Sequence, residues 1–255
     1  MLSPAAPNRG TPPGFGLFVI GSEILDGRKR DAHFEKALGL LRARRIPFTY
    51  AMMLPDDPRR IEEQLRWAMA QPEPFFCCGG IGSTPDDYTR DCAARAAGVP
   101  TERHAEGVAI LRSRFGKEAT PARLKMVEFP AGSVLIPNPV NQVPGFAISN
   151  GHFLPGFPRM AEPMMAWVLD TWYAPGAARI ARCLVLPGAR EADLVDIMEA
   201  FIAEHPRVVF SSLPHFTPTG TEVHFGLEGL PEDVALGLAA LQRRLAELAI
   251  PHREE

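Results

Sequence analysis

The chain is poor in the features that mark several large protein classes. Only four of its 255 residues are cysteine: Cys77, Cys78, Cys92 and Cys183. Their spacing shows no metal-ligand pattern, and the adjacent Cys77 and Cys78 read as small core hydrophobes. Reduced thiols and a cytoplasmic location are expected. No apolar run reaches the roughly 18 residues that would span a bilayer, so no membrane partner is expected. No basic run dominates and the formal net charge is -3, which argues against a nucleic-acid partner. The opening MLSPAAPNRGTPPG lacks the apolar centre of a signal peptide, and residues 1–14 are expected to be a disordered tail. A P-loop is excluded by the want of a Gly-Lys-Ser/Thr run, and the GxGxxG and GxSxG patterns are missing too. The seven histidines are scattered and read as surface or capping residues rather than a triad.

What is present is an alternation of short apolar runs with amphipathic stretches. FGLFVI (15–20), PFTYAMM (47–53) and residues 74–78 read as strands. Helices are expected over 31–45, 58–70, 86–97, 103–116, 117–128 and 159–172. The proline-rich stretch 129–158 reads as short strands joined by rigid turns. That order predicts an α/β domain over residues 15–173, built on a mainly parallel sheet covered on both faces. A boundary is expected at Tyr173-Ala174-Pro175-Gly176, with 174–178 as linker. Beyond it, strands over 179–186, 207–213 and 221–228 and helices over 190–204 and 231–249 give a β-α-β-β-α order. This predicts a small α+β domain over residues 179–255. Its exposed strand edges predict cover from the partner domain or another subunit, hence a homo-oligomer.

The most informative stretch is CCGGIGSTPDD. Gly79, Gly80 and Gly82 allow a sharp turn and close approach of a ligand to the backbone. Ser83 and Thr84 add hydroxyls, and Asp86 and Asp87 add paired carboxylates beside a helix start. In an open parallel sheet, ligands sit beyond the carboxyl ends of the strands. Three loops leave those ends, carrying Glu23, Asp56 and Asp87. Together they suggest a phosphate or pyrophosphate site with a divalent metal such as magnesium, held by Glu23, Asp56, Asp86 and Asp87. The same residues also have plain readings: Asp56-Asp57-Pro58 and Asp86-Asp87 as helix caps, Glu23 as a solvated side chain. A second cluster, IPNPVNQVPGF (136–146) with FLPGFPRM (153–160), offers Asn138, Asn141, the Gly156 backbone and Arg159 to an amide- or ring-bearing ligand.

In series, GSEILDGRKRDAHF (21–34), LPDD (54–57), GGIGSTPDD (79–87), IPNPVNQVPGF (136–146) and LPGFP (154–158) resemble the CinA family. The likeness covers about residues 15–173 and implies a three-layer molybdopterin-binding domain of the MoaB/Mog type. It implies one of two chemistries. Some CinA-like domains hydrolyse the pyrophosphate of ADP-ribose or FAD-type dinucleotides with a divalent metal and potassium; Mog-type relatives bind molybdopterin and adenylylate it. In both, carboxylates matching Asp87 and Asp56 line the site. A nucleotide pyrophosphatase is thus one expectation, and a pterin or nucleotide binder without turnover is the other. Where many members carry Gly-Asp-Glu this chain has Gly21-Ser22-Glu23; an Asn common in the next helix is replaced near His33; a usual Glu is Met160. The C-terminal amidase domain of full-length CinA proteins does not fit in the remaining length, so nicotinamide-nucleotide deamidation is not expected.

Overall fold

A computed structural model describes residues 10–217 and 220–255. The chain divides into two compact units, Met1–Gly176 and Ala177–Glu255.

The first unit opens with β1 (Phe15–Ile20), the four-residue α1 (Ser22–Leu25) and α2 (His33–Ala43). β2 (Phe48–Leu54), α3 (Pro58–Met69), β3 (Phe75–Cys78) and α4 (Thr89–Ala97) follow. Then come β4 (Thr101–Arg103), α5 (Ala105–Phe115), α6 (Pro121–Leu124) and β5 (Glu128–Pro130). β6 (Val134–Ile136), β7 (Gly145–Ile148), β8 (Gly151–Leu154) and α7 (Pro158–Trp172) complete it. The main sheet has the order β2-β1-β3-β8-β7-β6. β1 pairs parallel with β2 and β3, and β3 parallel with β8; only β7 runs against its neighbours. β4 and β5 form a separate antiparallel pair.

Every residue of β1 is buried, as its unbroken apolar run requires of a strand covered on both faces. Phe15, Leu17 and Val19 pack with Ala37 and Leu41 of α2 and Met164, Val168 and Trp172 of α7. Phe18 and Ile20 point the other way, to Ile61 and Leu65 of α3 and Cys92 and Ala93 of α4. Period-two alternation thus splits one strand between two cores. Cys77 and Cys78 are likewise split between the two cores, both 0% exposed, and burial pushes both thiols up.

Several expectations change in this unit. The helix over 117–128 is broken into a 3-10 turn (Gly116–Glu118), α6 and a second 3-10 turn (Lys125–Val127); Thr120 does cap α6 with Pro121 behind it. The helix over 86–97 starts at Thr89, because Asp86 and Asp87 belong to the glycine turn. Two histidines are in the core: His33 is 2% exposed, and His152 is fully buried between the Phe75 carbonyl and the Tyr173 hydroxyl. His104 does cap a helix, accepting from Gly107 N–H. The expected tail falls partly on residues 1–9, outside the described residues. Of the rest, Pro12 and Gly14 are buried, and the Gly10 carbonyl accepts from Ala174 N–H at 3.0 Å. Gly176 N–H donates to the Arg44 carbonyl, so residues 174–176 are strapped to this unit.

The second unit contains β9 (Ile180–Pro187), α8 (Val195–Glu204), β10 (Val209–Thr217), β11 (Gly220–Gly229), α9 (Pro231–Glu247) and β12 (Arg253–Glu254). Its antiparallel sheet has the order β10-β11-β9-β12. Leu184, Leu186, Val223, Phe225 and Leu227 pack with Phe201 of α8 and Val234, Leu241 and Leu245 of α9. The expected helix over 190–204 begins as a 3-10 turn, Glu191–Leu194. β10 runs past Pro214, where the sequence reading stopped it. β10 is an edge strand, and an edge tolerates the missing N–H of proline.

Candidate ligand-binding cleft

The strand order places β2 on one side of β1 and β3 on the other, so the chain switches direction at β1–β3. That is where an open parallel sheet leaves a crevice beyond its carboxyl ends. A cleft of about 450 Å³ lies there. Its lining includes Glu23, Asp56, Gly79, Gly80, Gly82, Ser83, Thr84, Asp86, Asp87, Asn138, Asn141 and Gly156.

The glycine turn is built so that no side chain could replace hydrogen. Gly79 and Gly80 have φ of 110° and 67°, the region that favours glycine. A Cβ on Gly79 would lie 2.3 Å from the Ile20 carbonyl oxygen, and one on Gly80 2.2 Å from Thr89 Oγ1. On Gly82 it would meet Asp87 Oδ2 at 2.6 Å. The turn thus wedges between β1 and the start of α4, and Thr89 N–H donates to the Gly80 carbonyl at 3.0 Å.

The carboxylates have distinct local duties. Asp56 Oδ2 accepts from Ser22 N–H at 2.8 Å, and Ser22 Oγ accepts from Asp56 N–H at 3.0 Å. This reciprocal pair ties the loop after β1 to the loop after β2. Its neighbour Asp57 caps α3, accepting from Arg59 and Arg60 N–H. The cap reading therefore holds for Asp57, while Asp56 faces the cleft. Asp87 Oδ2 accepts from both the N–H and the hydroxyl of Thr84. The same hydroxyl also faces Asp86, whose carboxyl it and Asp86's own N–H hold below the usual range. Glu23 reaches Lys29 Nζ at 3.5 Å. All four carboxylates share one cleft, but no three of them bring oxygens within 4.8 Å of one another. They do not form a ready-made protein cage for a metal.

Arg159 does not line the cleft: it is exposed on α7, and Met160 is the residue that faces inward. Successive residues of a helix point about 100° apart, so only one of the two can do so. Asn141 Nδ2 contacts Met160 Sδ at 3.4 Å. Asn138 is 5% exposed; its Oδ1 accepts from Val140 and Asn141 N–H, leaving Nδ2 with no partner among the described residues.

The sequence reading missed Lys29, His33 and Phe157, which also line the cleft. His33 Nδ1 lies 2.8 Å from Asp31 Oδ1, and His33 Nε2 is buried without a partner. Burial lowers the His33 pKa, against the raising effect of Asp31. Burial would raise Asp31, but the N–H groups of Phe34 and His33 and the imidazole outweigh it and leave its pKa lowered. An ionised Asp31 can only accept, so the ring proton sits on Nδ1 and Nε2 is an acceptor. Nothing in the spacing of Asp31 and His33 separates them from a helix N-terminus, which they also form.

Among the described residues no helix is long and apolar enough to cross a membrane. Residues 16–174 match the family described as probable molybdopterin binding domain. A CinA-like protein of a Geobacter species is 34% identical over 255 residues, covering 94% of this chain and 60% of that protein. A protein of Pyrobaculum arsenaticum is 29% identical over 250 residues, covering 92% of this chain and 94% of that one. Among solved structures, a CinA protein of unknown function from Thermoplasma acidophilum matches with a TM-score of 0.57 at 25% identity. That match covers 62% of this chain and 97% of the other. The chain thus spans less than two thirds of the Geobacter relative and nearly all of the Pyrobaculum one. With more than half of its length inside the matched domain and with similarity to CinA-like proteins, this chain belongs to the molybdopterin-binding-domain family.

Proposed function

We propose that the cleft binds a phosphorylated pterin or nucleotide, with phosphate at the Gly79–Thr84 turn and the ring toward Asn138 and His33. The observation that carries this is the pairing of a side-chain-free turn with two buried, unpartnered polar atoms on residues that line the same cleft. Asn138 Nδ2 is a free donor and His33 Nε2 a free acceptor, which suits the alternating edge of a pterin or purine. Ile24, Ile81, Met126, Val143 and Phe157 add apolar walls, as small-molecule sites require.

Four carboxylates face the same space against one lysine, Lys29. A bare phosphate would be repelled there, so a divalent ion such as magnesium is part of the proposal. Asp86 and Asp87 would hold it beside the turn, the remaining positions going to water and ligand phosphate, as magnesium prefers. When bound, it would neutralise phosphate charge and polarise a phosphoryl oxygen. Asp87 would stay oriented by Thr84, and backbone N–H groups of the turn would face the phosphate oxygens.

Hydrolysis of a dinucleotide pyrophosphate such as ADP-ribose, with potassium as a further ion, is the second reading. The Asp86–Asp87 pair next to the turn favours it. The Ser22–Asp56 lock and Met160 in place of a carboxylate favour binding without turnover. A thermal-shift and calorimetry panel of ADP-ribose, FAD, ATP and a pterin phosphate, with and without magnesium and potassium, separates the readings. Binding with magnesium and no product supports the first; magnesium-dependent product that Asp87→Asn abolishes supports the second. Asn at 87 still accepts from Thr84, so folding is kept. Asn138→Asp keeps both backbone acceptor bonds but loses the donor, and should weaken ring binding about tenfold or more. No melting shift with any of these compounds would overturn both readings.

A further inference from the structure

The second unit carries a cluster that the cleft does not use. Cys183, His224 and Glu255 offer a thiol sulfur, an imidazole nitrogen and a carboxylate oxygen that all lie within 4.8 Å of one another. No other such group of three occurs among the described residues. The three come from three neighbouring lengths of chain. β9 pairs antiparallel with β11, placing Cys183 opposite Gly226 and His224 opposite Val185. On its other side β9 pairs with β12, and Glu255 N–H donates to the Cys183 carbonyl at 3.0 Å. Directly opposed residues share a sheet face. Cys183, His224 and Glu255 therefore stand on the face opposite Leu184, Leu186, Val223 and Phe225, which fill the core.

Two further observations bear on what the cluster takes. Glu222 Oε1 lies 2.9 Å from His224 Nε2. A carboxylate there fixes the ring proton on Nε2 and leaves the lone pair on Nδ1, the nitrogen on the Glu255 side. This is the arrangement in which a histidine ligates a metal through one nitrogen and is oriented by a carboxylate through the other. His224 Nδ1 is 3.9 Å from Glu255 Oε2, too long for a direct hydrogen bond and a small side-chain adjustment from the ~3.4 Å between two donors on one tetrahedral zinc. Gly226, opposite Cys183, puts no side chain over the thiol.

We propose that Cys183, His224 and Glu255 form a binding site for a borderline-soft divalent transition metal, zinc above all, with Glu222 as the positioning residue of His224. A thiolate and an imidazole select zinc over magnesium or calcium, and a carboxylate completes three of four tetrahedral positions. The fourth would fall to water or to His215, whose ring centroid lies 4.1 Å from that of His224. Binding forms a sulfur–zinc bond as the Cys183 thiol gives its proton to solvent, with no change of oxidation state. The sequence hides the site because its ligands are 41 and 31 residues apart along the chain and only strand pairing brings them together.

Cys77, Cys78 and Cys92 are 0% exposed, so a thiol reagent applied to the folded 255-residue chain reports Cys183 alone. Chelator-treated protein is loaded with cobalt chloride, then with zinc chloride, and magnesium chloride serves as control. Cobalt should give a near-ultraviolet thiolate charge-transfer band that zinc bleaches. Zinc, and not magnesium, should slow Cys183 modification at least tenfold. Cys183→Ser should lose the band, and Glu222→Gln should keep it while weakening cobalt affinity about ten- to hundredfold. Far-ultraviolet circular dichroism of the metal-free variants checks that each is folded. The proposal is overturned if wild type shows no cobalt–thiolate band, if zinc leaves Cys183 reactivity unchanged, or if Cys183→Ser retains the band. Because the readout follows sulfur, zinc bound at the carboxylates of the cleft does not register.

Discussion

His33 is held between burial and Asp31, and the outcome sets a pH dependence. Its pKa is lowered below the ordinary value of 6.5, with burial the largest cause. As pH falls through about 6.5, the unfolded chain takes up a proton that the folded chain does not. Stability is therefore full above that value and declines as pH drops toward the lower folded pKa. Asp31, lowered below 3.8, acts in a separate window: its contribution is present above 3.8 and is lost below it. Between about pH 7 and pH 5 only His33 of this pair titrates. His33→Gln should flatten the decline in urea midpoint over that range; an unchanged slope would show that other groups set it. The same residue marks a limit of sequence reading. The glycine turn and its carboxylates were visible because Gly79, Gly80, Asp86 and Asp87 lie together in the chain. His33 was not, because a histidine near a helix start looks alike whether it faces water or a cleft.

At the level of elements, neighbouring residues can serve different strands of the architecture. Asp57 caps α3, whereas Asp56 joins the loop after β1 to the loop after β2. Asp57→Ala should cost about 1 kcal/mol, the worth of an N-cap, and leave ligand affinity unchanged. Asp56→Ala should cost a similar amount and also weaken binding, because Ser22 and Glu23 lose their anchor beside the turn. Chemical denaturation and calorimetry on the two variants test this; equal ligand affinities would refute a role for Asp56 in the cleft. Elements with a clear signal were legible: β1 by its unbroken apolar run, and α2, α3, α7 and α9 by length and periodicity. Short ones were not. β4 is three exposed residues and β12 two, too few to carry a pattern, and pairing alone defines them. The edge strand β10, with Phe216 88% exposed, leaves the expected homo-oligomer as a proposal that light scattering can decide.

For the whole molecule, the distribution of aromatic residues makes the two units separately observable. Trp67, Trp167 and Trp172, like all three tyrosines, lie before residue 177. Intrinsic tryptophan fluorescence therefore follows the first unit, while far-ultraviolet circular dichroism follows both. Independent units should give non-coincident denaturation curves by the two probes. Ala177 and Ala178 are exposed, whereas residues 174–176 are bonded to Gly10 and Arg44. Elastase should cut at 177–178 and leave two resistant fragments; digestion without a stable fragment would count against separable units. The sequence reading sets the boundary at 173–176 with 174–178 as linker, whereas the first unit runs to Gly176. Gly176 is strapped to the first unit by a close backbone approach, where a Cβ would lie 1.9 Å from the Arg45 carbonyl oxygen.

The wedged glycine turn has a consequence for how such a protein can diverge. Its floor is fixed by collision with the Ile20 backbone on one side and Thr89 on the other, so substitution there removes the site instead of retuning it. The walls are under no such constraint: Met126, Val143, Phe157 and Met160 can change size or polarity without touching the turn. Divergent selection for a new ligand is therefore confined to a few wall positions over an invariant base. A library that randomises those four positions should yield altered preference at retained stability, while one that randomises 79, 80 and 82 should yield mostly unfolded protein.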